Sequence, residues 1–569
     1  MAEKIIMPKA GMSMEFGTII EWLKEIGDKV SYGEPILEIE TDKTSMQVEA
    51  MNDGYLIAKL YDAGDEVPVV TTIGYIGKKG EKAPAGDAPV AAAPAAKSAP
   101  AGKETAADTG KAYDVVVLGG GPAGYIGAIK AARMGAKTAI VEKSVLGGTC
   151  LNRGCIPTKT YLKTAETIQE VRRAADRGIA FGDTSFKVDM KKAVAHKNKV
   201  VKQLTDGVAG LMRSNKIDVY SGDGVIGKDK TVTIGGKEKI KADKVIFAGG
   251  SIVSRINLPG IDLDTVLTSD EMLDIQKVPA KLAVIGGGVI GVELASVFNA
   301  LGSKVTILEM MDNIVPTMDV EVSGLLKKKL EAEGITIVNG VKIEKIEKKG
   351  KKTYVHGDII EPVEADTVLL SIGRVPDLSG LGDTGVAVER GRVVVDDRMR
   401  TNVDWIWAPG DANGRMMLAH AAFKMAEVAV ENALGEDKAY SSQYVPSCIY
   451  THPEIGAVGM TEAQARERYD VRIGKFPFMA NGRALASDGA DGFVKVVVDS
   501  ATGEMLGVHI IGPCAAEMIN EAAALMAAEI TAFEVAETVH AHPTFSEALM
   551  EAVADSIGQC LHLPPKKKK

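Results

Sequence analysis

One pattern, present twice, restricts the fold of this 569-residue chain more than any other feature. Tyr113-Asp-Val-Val-Val-Leu118 is an apolar run of strand length. It leads into Gly119-Gly-Gly121-Pro-Ala-Gly124, an Ala-rich helical stretch to Met134, a second apolar run Thr138-Ala-Ile-Val141, and Glu142. The same order returns as Leu282-Ala-Val-Ile285, Gly286-Gly-Gly288-Val-Ile-Gly291, and Val305-Thr-Ile-Leu308 ending in Glu309. The acid follows the first glycine by 23 residues in both units. Uninterrupted apolar strands are those covered on both faces of a parallel sheet. The glycines allow a tight turn and let a pyrophosphate approach a helix N-terminus, while the acid suits ribose hydroxyls. A single fingerprint is weak evidence, but the whole unit repeated predicts two Rossmann-like dinucleotide sites. Met310 and Met311 follow Glu309 with no basic cluster for a 2′-phosphate, so the second site is expected to take NAD.

Between the two units stands Gly147-Gly-Thr-Cys150-Leu-Asn-Arg-Gly-Cys155-Ile-Pro-Thr-Lys159. Five residues along a regular helix rise about 7.5 Å and turn about 140°. A disulfide needs Cα atoms roughly 4.4–6.8 Å apart, so a redox pair here requires Asn152, Arg153 and Gly154 to bend the turn. On spacing alone, two free cysteines on a buried helix fit equally well. The pair follows the first nucleotide unit directly, and a flavin is the natural relay between thiols and hydride transfer, which makes FAD the expected first nucleotide.

Length implies several domains. Five cysteines are too few for a disulfide scaffold and favour a reducing, cytoplasmic setting, and the net charge of −9 argues against a nucleic-acid surface. No apolar run is long enough to span a membrane, and no metal site is expected. Residues 1–78 carry an internal repeat at an offset of 37: Gly17-Thr-Ile-Ile-Glu-Trp-Leu with Gly54-Tyr-Leu-Ile-Ala-Lys-Leu, and Gly27-Asp-Lys-Val with Gly64-Asp-Glu-Val. Two similar halves predict a flattened all-β barrel of two small sheets. Ile36–Glu40 and Met46–Ala50 alternate as strands, which places Lys43 on the turn between them. Residues 81–110 hold twelve alanines and four prolines. Such a segment cannot form a core, but it works as a semi-rigid tether reaching on the order of 90 Å at about 3.1 Å per residue.

These motifs resemble two known families. Residues 1–78, with their Met-Pro-Lys opening and Glu-Thr-Asp-Lys turn, are similar to the lipoyl domains of 2-oxo acid dehydrogenase complexes. In the related biotinyl domains the modified lysine normally sits between methionines, whereas Lys43 lies between Asp42 and Thr44. From about Tyr113 to Cys560 the chain resembles the flavoprotein disulfide reductases, the dihydrolipoamide dehydrogenases among them. The resemblance implies a fused lipoyl domain (1–78), a linker (79–111), an FAD-binding domain in two parts (112–260 and 377–443), an NAD-binding domain (261–376), and an α+β dimerisation domain (444–569). It also implies a lipoyl group on Lys43, Cys150 as the interchange thiol, Cys155 as the flavin-side thiol, and Lys159 beside the flavin with Glu293 as its partner. Asp411 would hold the flavin's ribityl chain. Near the carboxyl end, His540-Ala-His542-Pro-Thr-Phe-Ser-Glu547 offers two histidines that spacing does not separate. The family motif places the base directly before the proline, making His542 the base and Glu547 its orienting acid, both reaching the partner subunit's cysteines.

The implied partners are a second copy of the chain and the lipoyl domains and acyltransferase core of a 2-oxo acid or acetoin dehydrogenase complex. A lipoyl carrier scaffold, or a reductase of another disulfide, is the alternative. His542 is expected to lower the thiolate pKa, and Cys448, Cys514 and Cys560 are expected to be buried hydrophobes. Three positions depart from the family: Gly249 where threonine is usual, Pro409 before Gly410, and Asp377 where asparagine is common.

Overall fold

The computed structural model describes residues 3–7, 16–31, 33–40, 45–50, 52–68, 71–78, 81, 113–180, 186–236 and 238–565. Lys43, nearly all of the Ala/Pro-rich segment and the terminal lysines lie outside them. The chain forms two compact units divided at Ala106.

The amino-terminal unit contains two four-stranded sheets. Phe16–Trp22 pairs with Glu66–Pro68, and its repeat-mate Gly54–Lys59 pairs with Lys29–Val30. The turns exchange bonds between halves in the same way: Gly27 N–H donates to Leu56 O, and Gly64 N–H to Ile19 O, both at 2.7 Å. Matching positions fill the core, Ile19 with Leu56, Val30 with Val67 and Ile36 with Ile73. The sequence repeat is thus a pseudo-two-fold in which each half completes the other's sheet. Pro35–Glu40 and Ser45–Glu49 pair antiparallel, Glu40 opposite Ser45; the expected turn with Lys43 between them lies outside the described residues.

In the larger unit, Tyr113–Leu118, Thr138–Glu142, Asp218–Ser221 and Glu238–Phe247 form a parallel sheet extended by two antiparallel strands and by Ile406–Trp407. The second nucleotide unit is a five-stranded parallel sheet in which Lys281–Ile285 is central, flanked by Thr367–Leu370 and Lys304–Leu308. The chain crosses between the two sheets twice, and the crossings Ser251–Val253 and Arg374–Pro376 pair with one another. The last part is a five-stranded antiparallel sheet, Ser447–Ile449 to Met505–Gly512, with helices Ala515–Ala527, Ala532–Glu537 and Glu547–Ser556. Strand Phe493–Asp499 is buried on both faces, against the exposed face its Val494-Lys-Val pattern suggests. Lys495, 1% exposed, is neutralised there by Asp319 at 3.0 Å and Glu462 at 2.7 Å.

Candidate functional site

Each glycine fingerprint divides its work in the same way. Gly119 and Gly286 both have φ of 104°, and a Cβ on either would meet a carbonyl, Ala248 O at 2.1 Å or Ser371 O at 2.6 Å. A Cβ on Gly124 or Gly291 would strike the carbonyl of the first glycine at 1.8 or 2.0 Å, so these positions let helix and strand pack. Gly121 and Gly288 differ: the nearest atom to a Cβ is 3.7 Å away at Gly121, and none lies within 4 Å at Gly288. Both cap a 12-residue helix, Pro122–Arg133 and Val289–Ala300. Each therefore keeps open space before a helix N-terminus, where a pyrophosphate fits. Glu142 accepts from Gly120 N–H at 2.6 Å and Ser144 N–H at 2.7 Å; Glu309 accepts from Gly287 N–H at 2.5 Å and Met311 N–H at 2.7 Å. These bonds aim both carboxylates, and their remaining lone pairs suit ribose hydroxyls. The residues fit two dinucleotides.

The helix carrying Cys150 breaks between the cysteines. Gly148–Arg153 ends at Gly154, whose φ of −144° and ψ of −110° are not helical, and Cys155–Arg173 begins a new helix. Asn152 Nδ2 ties the first piece down by donating to Gly148 O at 2.9 Å and Leu146 O at 3.2 Å. The bend that the spacing requires is present. Both cysteines are free thiols, Cys150 half-buried and Cys155 exposed. Cys150 donates its proton toward Cys155, which holds Cys155 below the usual thiol range, with Lys159 adding to the pull. The same bond, burial and the neighbouring sulfur push Cys150 up. Cys155 also occupies the first position of a 19-residue helix, where the dipole favours a thiolate. Within one chain the lowering comes from Cys150 and Lys159.

Lys159 Nζ donates to both oxygens of Glu293, at 2.9 and 2.8 Å. Glu293, 3% exposed, also accepts from Tyr450 N–H at 2.9 Å, and the Tyr450 ring lies 4.4 Å from the ammonium. Sequence reasoning missed Tyr450; its only signal is its place in the Pro446–Gly456 stretch. Tyr125, on the first fingerprint helix, is raised to about 12 by burial and by both thiols, which places it beside the pair. Asp411 lies in the short helix Gly410–Asn413 and accepts from Ser251 Oγ at 2.6 Å, while its Oδ1 takes no partner among the described residues. Burial raises its carboxyl above the usual range despite Ser251 and Arg374.

The structure separates the two histidines. His540 has both ring nitrogens engaged, Nδ1 with Thr538 O at 3.1 Å and Nε2 with Glu521 Oε1 at 2.7 Å. His542 Nδ1 faces Glu547 Oε1 at 2.8 Å, its side chain is 77% exposed, and Nε2 is left for a proton. Burial works to raise Glu547, but the Thr544 N–H and His542 outweigh it and hold the carboxyl below its usual range.

The departures fit together. A Cβ on Gly249 would lie 2.5 Å from Asp377 O and 2.7 Å from the Phe247 ring, so the loop bearing Asp377 excludes a larger residue. Lys143, next to Glu142, holds Asp377 at 2.6 Å. Pro409 has φ of −81°, which its ring accepts. The other cysteines are not uniformly buried: Cys514 is exposed, Cys448 is half-buried and donates to Ala516 O at 3.8 Å, and half-buried Cys560 donates to Glu551 Oε2 at 2.9 Å.

Comparison with known proteins agrees with this site. The family described as pyridine nucleotide-disulphide oxidoreductase matches residues 113–426, its dimerisation domain matches 445–553, and the biotin/lipoyl family, described as biotin-requiring enzyme, matches 3–76. A dihydrolipoyl dehydrogenase of Bacillus subtilis is 40% identical over 455 residues, 79% of this chain and 99% of the relative. Leghemoglobin reductase of Glycine max is 39% identical over 459 residues, covering 77% and 86%. Among solved structures, the flavoprotein disulfide reductase RclA of Escherichia coli matches with a TM-score of 0.70 at 30% identity, covering 78% and 99%. Among the described residues no helix is long and apolar enough to cross a membrane. With two nucleotide cradles, a thiol pair after the first, and matches along nearly the whole body, the chain belongs to the pyridine nucleotide-disulphide oxidoreductase family and carries a biotin/lipoyl-type domain at its amino end.

Proposed function

We propose that the protein is a homodimeric dihydrolipoyl dehydrogenase that oxidises protein-bound dihydrolipoyl groups, with FAD at the Gly119–Gly124 cradle, NAD at the Gly286–Gly291 cradle, and its own lipoyl group on Lys43. The observation that carries the reading is the thiol pair astride a helix break, with Lys159, one turn along the helix from Cys155, held by Glu293. His542 Nε2 of the partner subunit takes a proton from the dihydrolipoyl dithiol. The step starts from the oxidised pair, in which the two thiols are joined as a disulfide: the substrate thiolate attacks Cys150 Sγ, the Cys150–Cys155 bond breaks, and Cys155 leaves as the thiolate. The second substrate thiol displaces Cys150, which closes the lipoyl disulfide and leaves the pair as a dithiol. FAD and NAD, when bound, carry the two electrons onward as hydride. Lys159, held by Glu293, supplies positive charge beside Cys155, while Glu547 keeps His542 in the tautomer that frees Nε2.

Lipoyl domains and the acyltransferase core of a 2-oxo acid or acetoin dehydrogenase complex follow as partners, in a reducing cytoplasm where such a pair cycles. Cys155→Ser tests the reading: dihydrolipoamide-dependent NADH formation should vanish, and its persistence would refute the mechanism. Lys43→Arg should spare turnover of free dihydrolipoamide and abolish lipoylation, as read by intact mass.

A further inference from the structure

Four parts of the body converge on one guanidinium. Arg374 lies in the return crossing between the two nucleotide sheets, mostly buried. Its Nε donates to Ser251 Oγ at 2.9 Å and its Nη2 to Ser251 O at 2.7 Å, which fastens the two crossings side chain to strand. With one lone pair taken by Arg374, the Ser251 hydroxyl points its proton at Asp411, the acid of the flavin cradle. Nη2 also donates to Thr149 Oγ1 at 3.2 Å, and Thr149 directly precedes Cys150. On the other side Nη1 faces Asp270 Oδ1 at 3.9 Å, and Asp270 Oδ2 faces Arg153, which lies between the two cysteines, at 3.8 Å. Asp270 belongs to the helix following strand Val266–Thr268 of the second nucleotide sheet. The last two contacts are too long for hydrogen bonds but close enough for charges to act in a partly buried place.

We propose that Arg374 is a positioning residue of the redox site, joining the flavin-side acid Asp411 through Ser251 to the helix of Cys150, with Asp270 and Arg153 balancing its charge beside the thiol pair. The proposal rests on the reading of Cys150 and Cys155 as the redox pair. Arg374 is flanked by Asp270, Asp411 and Arg153, and its charge also meets that of Cys155 as the weakest of these; Cys150, Lys159, Glu293 and Tyr125 interact with Cys155 as well. Removing the guanidinium charge takes a cation from Cys155 and disfavours its thiolate. Removing the Asp270 charge takes a counter-charge from Arg374 and Arg153 and favours it. The two substitutions therefore act in opposite directions, which a mere loss of packing does not produce.

The test titrates the Cys155 thiolate in the full-length flavin-loaded enzyme, reduced anaerobically by two electrons with one equivalent of dithionite so that the pair is a dithiol and the flavin stays oxidised, by its ultraviolet absorbance and its long-wavelength band with the flavin. Arg374→Gln should move the midpoint up, by less than loss of the Lys159 charge does, Arg374→Lys should keep it near the wild-type value, and Asp270→Asn should move it down. An unmoved midpoint in Arg374→Gln, or a downward one, would overturn the proposal. Where Arg374→Gln binds too little flavin to titrate, Asp270→Asn decides alone, and the absence of a downward shift overturns it. No lipoyl substrate enters the titration, so its outcome is separate from whether dihydrolipoyl groups are the physiological reductant.

Discussion

Lys159 acts on two groups of opposite need. It neutralises Glu293, which is 3% exposed, and it lies close enough to Cys155 to favour the thiolate. Replacing it with methionine should have two separable results. Glu293 keeps only the Tyr450 N–H, and an uncompensated buried carboxylate costs about 3–5 kcal/mol, read as a lower denaturant midpoint. The Cys155 midpoint should rise, because a cation that held the thiolate is gone. Glu293→Gln should move that midpoint the other way, since the glutamate charge opposes the thiolate. In both cases the thiolate is present above the midpoint and lost as pH falls through it, so the acid limb of turnover should follow the same order.

The fingerprints make a sharper test at the scale of an element, because their glycines serve different purposes. Gly291→Ala places a Cβ 2.0 Å from Gly286 O and should loosen helix Val289–Ala300 from its sheet, lowering thermal stability. Gly288→Ala meets no atom within 4 Å. It should leave the fold intact and raise the KM for NAD about tenfold or more, by filling the space before the helix N-terminus. Equal stability loss in the two variants would show that both glycines serve packing alone.

Such elements were legible in the sequence because their logic is local. A strand, a turn, a helix and an acid recur at fixed spacing, and the five-residue step between Cys150 and Cys155 demanded the break now seen at Gly154. The 37-residue repeat likewise became bonds exchanged between halves. What the sequence concealed depends on contacts across long loops. Tyr450 meets Glu293 across 157 residues, and Arg374 meets Ser251 across 123. Lys495 sits in a strand whose second face is covered by the Asp319 segment, and the sequence carries no mark of that cover. Spacing alone did not separate His540 from His542; the structure engages both ring nitrogens of His540, with Glu521 on Nε2.

At the scale of the whole molecule, charge ties the parts of the body together. Lys495 and Asp319, 1% and 2% exposed by their side chains, join the C-terminal sheet to the N-cap of helix Val320–Ala332. Burial tends to raise Asp319, but Lys495 outweighs it and holds the carboxyl below its usual range. The stabilisation is therefore full above the unfolded value of about 4 and lost as pH falls through the lower folded one. Lys495→Met should abolish that acid-dependent part and destabilise the body by about 3–5 kcal/mol, measured by urea unfolding at neutral pH.

The dyad and the thiol pair pose the last question at this scale. Within one chain His542 is exposed, and the proposed chemistry draws the base from the partner subunit. Mixed dimers decide the point. In a dimer of one Cys150→Ser chain and one His542→Gln chain, a site built across the interface pairs the intact Cys150 of one chain with the intact His542 of the other. One of the two sites then works, while the other lacks both groups. A site built within a chain leaves neither working. Random reassembly of equal amounts makes half the dimers mixed, so the interface arrangement should restore about a quarter of wild-type dihydrolipoamide turnover from two inactive parents. Recovery at the parental background would place base and thiols in one chain and remove the requirement for the dimer in catalysis.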